Sequence, residues 1–216
     1  MSENRKSAAL ILADGTVYRG VSFGAAGTVF GEIVFTTGVS GFQETLTDPS
    51  NFGQIVVQTF PLIGNYGIIE NDFEGECAVR GYVVRDWCDA PSNFRSEYDL
   101  DAFLKERGVP GVYGVDTREI TRIIREHGVM NAIICNNPPK SLESVKSYAV
   151  IDAVKSVSRH ERDTYPAVGE KRFSVALLDY GAKSNIIQCL QRRGCEVTVV
   201  PAYTKPEEVI GKYDGV

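Results

Sequence analysis

Residues 173–202 read FSVALLDYGAKSNIIQCLQRRGCEVTVVPA. The opening FSVALLDYG is a nearly continuous apolar run, the pattern of a parallel strand covered on both faces, and KSNIIQCLQRRG follows with Ile186, Ile187 and Leu190 at helical spacing, expected to face inward. CEVTVVPA is a second run of the first kind. Strand, helix and strand in this order predict the start of a doubly wound parallel sheet. Beyond it, Thr204 and Glu207 have capping-box spacing for a short helix, and YDGV at 213–216 reads as the entry to a third strand. Such a sheet needs several parallel strands to cover its faces, so it is expected to continue past Val216, with these residues the N-terminal portion of a longer protein.

Upstream the pattern changes. Residues 157–171, VSRHERDTYPAVGEK, are dense in charge and lack apolar periodicity, as a connector between domains would be. The first half reads mainly as sheet. Ala8–Leu12 and Val17–Val21 flank Asp14-Gly15, the dipeptide of a tight hairpin turn, and Glu32–Thr36, Gln54–Phe60 and Ala78–Arg85 are short runs rich in β-branched residues. Two helices interrupt. Asp99 can cap one carrying Leu100, Phe103 and Leu104, with Gly108 as its stop. Asp116 and Glu119 have capping-box spacing for the other, in which Ile120, Ile123 and Ile124 form the buried stripe, Arg118, Arg122 and Arg125 the wet side, and Gly128 the end. NAIICNN reads as a strand, and Ser141–Ser158 has a weaker helical pattern. The expected fold class is therefore α/β: an N-terminal mixed β-sheet domain with flanking helices over 1–156, a linker over 157–171, and the start of a doubly wound parallel domain over 172–216.

With 216 residues, 43% of them hydrophobic, the chain can bury a substantial core. Its net charge of −5, without a clustered basic face, argues against nucleic acid. The apolar run near the N-terminus is too short for a secretory segment and nothing approaches a spanning helix, so no membrane partner and a cytoplasmic location are expected. The five cysteines, Cys77, Cys88, Cys135, Cys189 and Cys195, form no close pairs of the kind zinc or redox sites use. None has the flanking glycines of a nucleophile elbow. His127 falls in a helix's last turn and His160 in the connector, without metal-ligand spacing, so neither a catalytic residue nor a metal site is expected. No G-x-G-x-x-G lies between a strand and a helix, which leaves a dinucleotide-binding reading weak. Lys183 stands just beyond a C-terminal strand edge, where open α/β sheets bind ligands, although the residues alone favour a solvated lysine at a helix start.

The segments ADGTVYRG, GEIVFTTGVSGFQETLTDPSNFGQIVVQTFPLIGNYG, VDTREITRIIREHG and LLDYGAKSNIIQCLQRRGCEVTVVP, in this order and spanning nearly the whole chain, together resemble the small, glutamine-hydrolysing subunit of carbamoyl phosphate synthetase. The resemblance implies that the C-terminal part begins a class I glutamine amidotransferase domain. It implies that ammonia released from L-glutamine passes to a large subunit, where ATP, magnesium and bicarbonate are used to make carbamoyl phosphate for arginine and pyrimidine synthesis. No cofactor is implied in this chain, and the cysteine elbow of the family lies outside these residues, which leaves a non-catalytic docking module for the large subunit as the alternative. The resemblance also implies that Ser50, in the Thr47-Asp48-Pro49-Ser50 turn, reaches across the domain boundary to bind glutamine, with Lys183 close to the same pocket. A serine hydroxyl both donates and accepts, and Pro49 stiffens the turn presenting it.

Overall fold

The computed structural model describes residues 6–216. The chain divides into two units: one holds the residues up to Thr47, Asn51–Phe73 and Cys77–Val150, the other Asp48–Ser50, Glu74–Glu76 and Ile151–Val216.

The first unit is a closed seven-stranded barrel. Its strands are β1 (Ser7–Leu12), β2 (Val17–Gly24), β3 (Val29–Thr36), β4 (Gln54–Ile63), β5 (Gly81–Trp87), β6 (Pro110–Tyr113) and β7 (Met130–Cys135), in the order β1-β2-β6-β5-β4-β3-β7. β1 and β2 form the hairpin that Asp14-Gly15 announces, with Gly15 at φ 97 and Ile11 opposite Val17. The sheet is mixed: β3, β4, β5 and β6 run parallel in sequence, and β1, β2 and β7 close the circuit antiparallel. Side chains on a strand alternate between faces. Ala8, Leu10 and Leu12 of β1 join Ile55 and Val57 of β4 and Ala132 and Ile134 of β7 in one cluster, while Ala9, Ile11, Ile133 and Cys135 enter another. Barrel strands with apolar residues at successive positions thus bury both faces.

Helices supply the outer cover. α1 (Phe42–Leu46) and α2 (Leu100–Glu106) pack Phe42, Leu46, Phe103 and Leu104 against Val56, Tyr82 and Val84. Asp99 caps α2 by accepting from the Ala102 N–H at 2.8 Å, and Gly108 follows at φ 68. α3 (Thr117–His127) is capped by Asp116, which accepts from the N–H groups of Arg118 (3.1 Å) and Glu119 (3.0 Å). Its Ile120 and Ile124 enter the cluster of Leu10 and Val57, its three arginines are exposed, and Gly128 ends it at φ 80. α4 (Glu143–Lys146) places Val145 on Ile11 and Ile133. The helical pattern expected over 141–158 resolves into α4 and a separate short helix, α5 (Ala153–Val157), in the second unit.

The second unit is a three-stranded sheet in the order β8-β10-β9, from β8 (Asp163–Tyr165), β9 (Phe173–Asp179) and β10 (Cys195–Pro201). β9 and β10 are parallel in unbroken register from Phe173↔Cys195 to Asp179↔Pro201, joined by α6 (Ser184–Gln191). Alternation again separates two faces: Val197 and Val199 pack under Ile187 and Leu190, and Ala176 and Val200 under Val209. Gly215 forms a parallel bridge to Val175, so the segment read as a third strand does meet the sheet beside β9.

Three expectations change. Ile186, expected inward, is 44% exposed, because an eight-residue helix over one sheet turns only Ile187 and Leu190 to it. The short helix after β10 is a 3-10 turn at Pro206–Glu208, where Glu208 rather than Glu207 reaches back to accept from the Lys205 N–H at 3.3 Å. The stretch 157–171 is more than a connector: it contains β8, which pairs antiparallel with β10 through Thr164↔Thr198.

Candidate functional site

Ser50 and Lys183 both belong to the second unit and meet through Asp48, which the sequence places in the Ser50 turn without giving it a role. In that turn, the Asp48 Oδ1 accepts from the Ser50 N–H at 2.9 Å and from the Ser50 hydroxyl at 2.8 Å. The Asp48 Oδ2 lies 2.6 Å from the Lys183 ammonium. Asp48 is the sheltered member, its side chain 15% exposed against 42% for Lys183. Burial pushes the Asp48 carboxyl up, but the hydrogen bond from Lys183, the two bonds from Ser50 and the ammonium's charge outweigh it and hold the group below its ordinary value. Aspartate after a threonine and before a proline is a common turn residue, and its side chain accepting from the N–H two residues on explains the local geometry. The hydroxyl of Ser50 donates inward and leaves its lone pairs to accept from outside. An exposed acceptor beside an ammonium suits a zwitterion: the ligand's own ammonium can donate to Ser50 while a carboxylate meets Lys183.

Lys183 is placed by the turn between β9 and α6. Gly181 sits at φ 97, and a Cβ there would come within 3.0 Å of Pro49 and of Val157. Asp179, the last residue of β9 and 3% exposed, accepts at Oδ1 from the N–H groups of Gly181 (3.0 Å) and Ala182 (2.8 Å). Its Oδ2 accepts from the Arg159 N–H (2.9 Å) and Nε (3.0 Å). Past the lysine, the Glu74 carbonyl accepts from the N–H (2.9 Å) and hydroxyl (3.0 Å) of Ser184, and its carboxylate from the Asn185 N–H at 3.0 Å. The N-terminus of α6 is thus already occupied by an acidic residue of the chain itself. Of these partners, Asp48 and Asp179 had sequence signals, an acid two residues before Ser50 and an acid ending an apolar strand run. Arg159 and Glu74 had none.

A cavity of about 590 Å³ opens where β9 and β10 end, lined by Val154, Lys155, His160, Tyr180, Ala202 and Tyr203 among others. Neither Ser50 nor Lys183 lines it. Among the described residues no disulfide joins the cysteines: Cys88 follows β5, Cys135 ends β7, Cys189 lies within α6, Cys195 opens β10, and Cys77 precedes β5. Among the described residues none of them stands on a strand-to-helix turn. His127 Nδ1 lies 3.1 Å from the Ile123 carbonyl in the last turn of α3. Among the described residues no group of three or more His, Cys, Asp or Glu is placed to hold a metal ion, and no helix is long and apolar enough to cross a membrane.

A closed mixed barrel followed by a parallel β-α-β unit, with an acid-lysine-serine cluster at the strand-to-helix turn, defines an α/β protein whose polar groups gather where its parallel strands end. Residues 10–134 match the family described as carbamoyl-phosphate synthase small chain, CPSase domain, and the chain belongs to that family. It is 47% identical over 205 residues to the carbamoyl phosphate synthase small chain of Bacillus thuringiensis subsp. konkukian, which covers 93% of this chain and 55% of the relative. It is 46% identical over 206 residues to the carbamoyl phosphate synthase pyrimidine-specific small chain of Halalkalibacterium halodurans, covering 93% and 56%. Against the small chain of Listeria monocytogenes serotype 4b the identity is 43% over 213 residues, covering 96% and 58%. The chain therefore spans a little over half the length of the curated relatives it matches. Among solved structures, an aminopeptidase from Aneurinibacillus sp. strain AM-1 aligns with a TM-score of 0.35 at 9% identity over 91% of this chain and 50% of the other, too distant to bear on the fold.

Proposed function

We propose that this chain acts as part of the glutamine-hydrolysing small chain of a carbamoyl phosphate synthase, with a large chain as its partner. The small chain releases ammonia from L-glutamine; the large chain, using ATP, magnesium and bicarbonate, converts it to carbamoyl phosphate for pyrimidine and arginine synthesis. The observation that carries this reading is the 47% identity to a carbamoyl phosphate synthase small chain across 93% of the residues. In this reading the β9-α6-β10 unit begins a glutamine amidotransferase domain in the cytoplasm, and residues 1–156 form the small-chain-specific domain. Ser50 accepts from the ammonium of glutamine and Lys183 pairs with its carboxylate, the two kept in mutual reach by Asp48. The nucleophile comes from outside these 216 residues, since none of the five cysteines occupies an elbow.

A second reading, a docking module that performs no chemistry, is favoured by the self-contained core of the barrel unit. One experiment addresses both. The 216-residue chain is purified, assayed for ammonia release from glutamine, and titrated against the large chain. Binding without hydrolysis is expected. Appreciable hydrolysis would overturn the assignment of the nucleophile elsewhere, and failure to bind would overturn the pairing.

A further inference from the structure

Resting on the reading that Lys183 meets glutamine, we propose that Asp179 and Arg159 are a positioning pair, which sets where the lysine stands without touching the substrate themselves. Asp179 takes four N–H donors on its two oxygens, two from the turn that leads into Lys183 and two from Arg159. A strand end in need of two turn acceptors is served by a neutral asparagine as well as by an aspartate. Burying a charge at 3% exposure is costly unless a cation meets it, and Arg159 is that cation. Arg159 is in turn held from its far side, Nη1 donating to the Asp163 carboxylate (3.2 Å) and the Tyr165 hydroxyl (3.0 Å), both on β8.

The backbone at Lys183 is clamped from both directions. Asp179 fixes the N–H groups of residues 181 and 182, and Glu74 fixes those of 184 and 185. The lysine stem is flexible, so its Cα position and the Asp48 contact at its tip together determine where the ammonium rests. An asparagine at 179 can keep its oxygen toward Gly181 and Ala182, but its amide then points N–H groups at the N–H groups of Arg159. The turn is retained while its anchor to β8 is lost.

The test uses the complete small chain paired with its large chain, measuring glutamine-dependent carbamoyl phosphate formation for Asp179→Asn, Arg159→Gln, Lys183→Met and each of the first two combined with Lys183→Met. Residues that act through one another give non-additive effects. Asp179→Asn is expected to raise the glutamine KM about tenfold with kcat within about twofold, and Arg159→Gln to raise it several-fold. Neither should add to the KM of the Lys183→Met chain. A merely structural role predicts effects that multiply with that of Lys183→Met, and that result would overturn the pair. Should Asp179→Asn fail to fold, Arg159→Gln carries the same comparison from the other end of the contact. If Lys183→Met itself leaves KM unchanged, the glutamine reading fails and the positioning role falls with it; a raised KM for Lys183→Met with multiplicative effects overturns the positioning role alone.

Discussion

Replacing Asp48 separates its two jobs. Its carboxylate accepts two bonds from Ser50 and one charged bond from Lys183, all near the surface. With Lys183 42% exposed, the ion pair is heavily screened and contributes at most about 1 kcal/mol. Each Ser50 bond contributes roughly 0.5 kcal/mol, the lower end of the net range, because both face water. Asp48→Asn keeps an acceptor for Ser50 but turns its amide N–H groups toward Lys183 and loses that charged bond, so it should cost about 0.5–1 kcal/mol; Asp48→Ala loses all three bonds and should cost about 1–2 kcal/mol. The pH dependence has a definite sign. Asp48 is held below its ordinary value in the folded chain, so its stabilisation is complete above the unfolded pKa near 3.9 and is lost as pH falls through the folded value. Urea midpoints for wild type and Asp48→Asn should therefore differ near pH 7 and converge as the pH is lowered from about 5 towards 2. Equal midpoints at neutral pH, or a gap that survives undiminished in acid, would refute the assignment of a charged Asp48–Lys183 contact.

Ser50→Ala in the complete complex should weaken glutamine binding by about 1–3 kcal/mol, read as a raised KM, and an unchanged KM would remove Ser50 from the site. Ile120→Ala empties a fully buried position against Leu10 and Val57 and should cost about 2–5 kcal/mol by urea denaturation, a loss under about 1 kcal/mol showing that α3 does not seal the core. Gly24→Ala combines a φ of 71 with a Cβ 2.6 Å from the Val109 carbonyl and 2.8 Å from Leu104, so it should destabilise by more than about 1 kcal/mol, and a neutral effect on Tm would mean that β2 can shift there.

What could be read from the residues was what is decided within about ten positions of chain. Asp14-Gly15 turns the hairpin, Asp116 caps the helix that follows it, and the apolar runs at 173–179 and 195–201 specify strands, though only the second is buried on both faces: β9 lies at the sheet edge with Phe173 exposed. Such a run does not say what covers it. Ala9 and Ile11 meet α4 from residues more than a hundred positions away, and β1 closes the barrel by pairing with β7. The same limit governed the site. Ser50 was named from family resemblance, since a turn serine carries no local mark of function; Lys183 had only its place beyond a strand edge, and the residue that links them is a turn aspartate whose partner lies far along the chain. Asp179 is the instructive case between these extremes: a charge closing an apolar strand is visible as an oddity, yet its cation lies twenty positions back in a stretch whose charge density reads as solvated connector. An acid at the end of a buried parallel strand therefore merits a search for its cation even in segments that lack any apolar pattern, because burial of the carboxylate demands one and periodicity has no way to announce it.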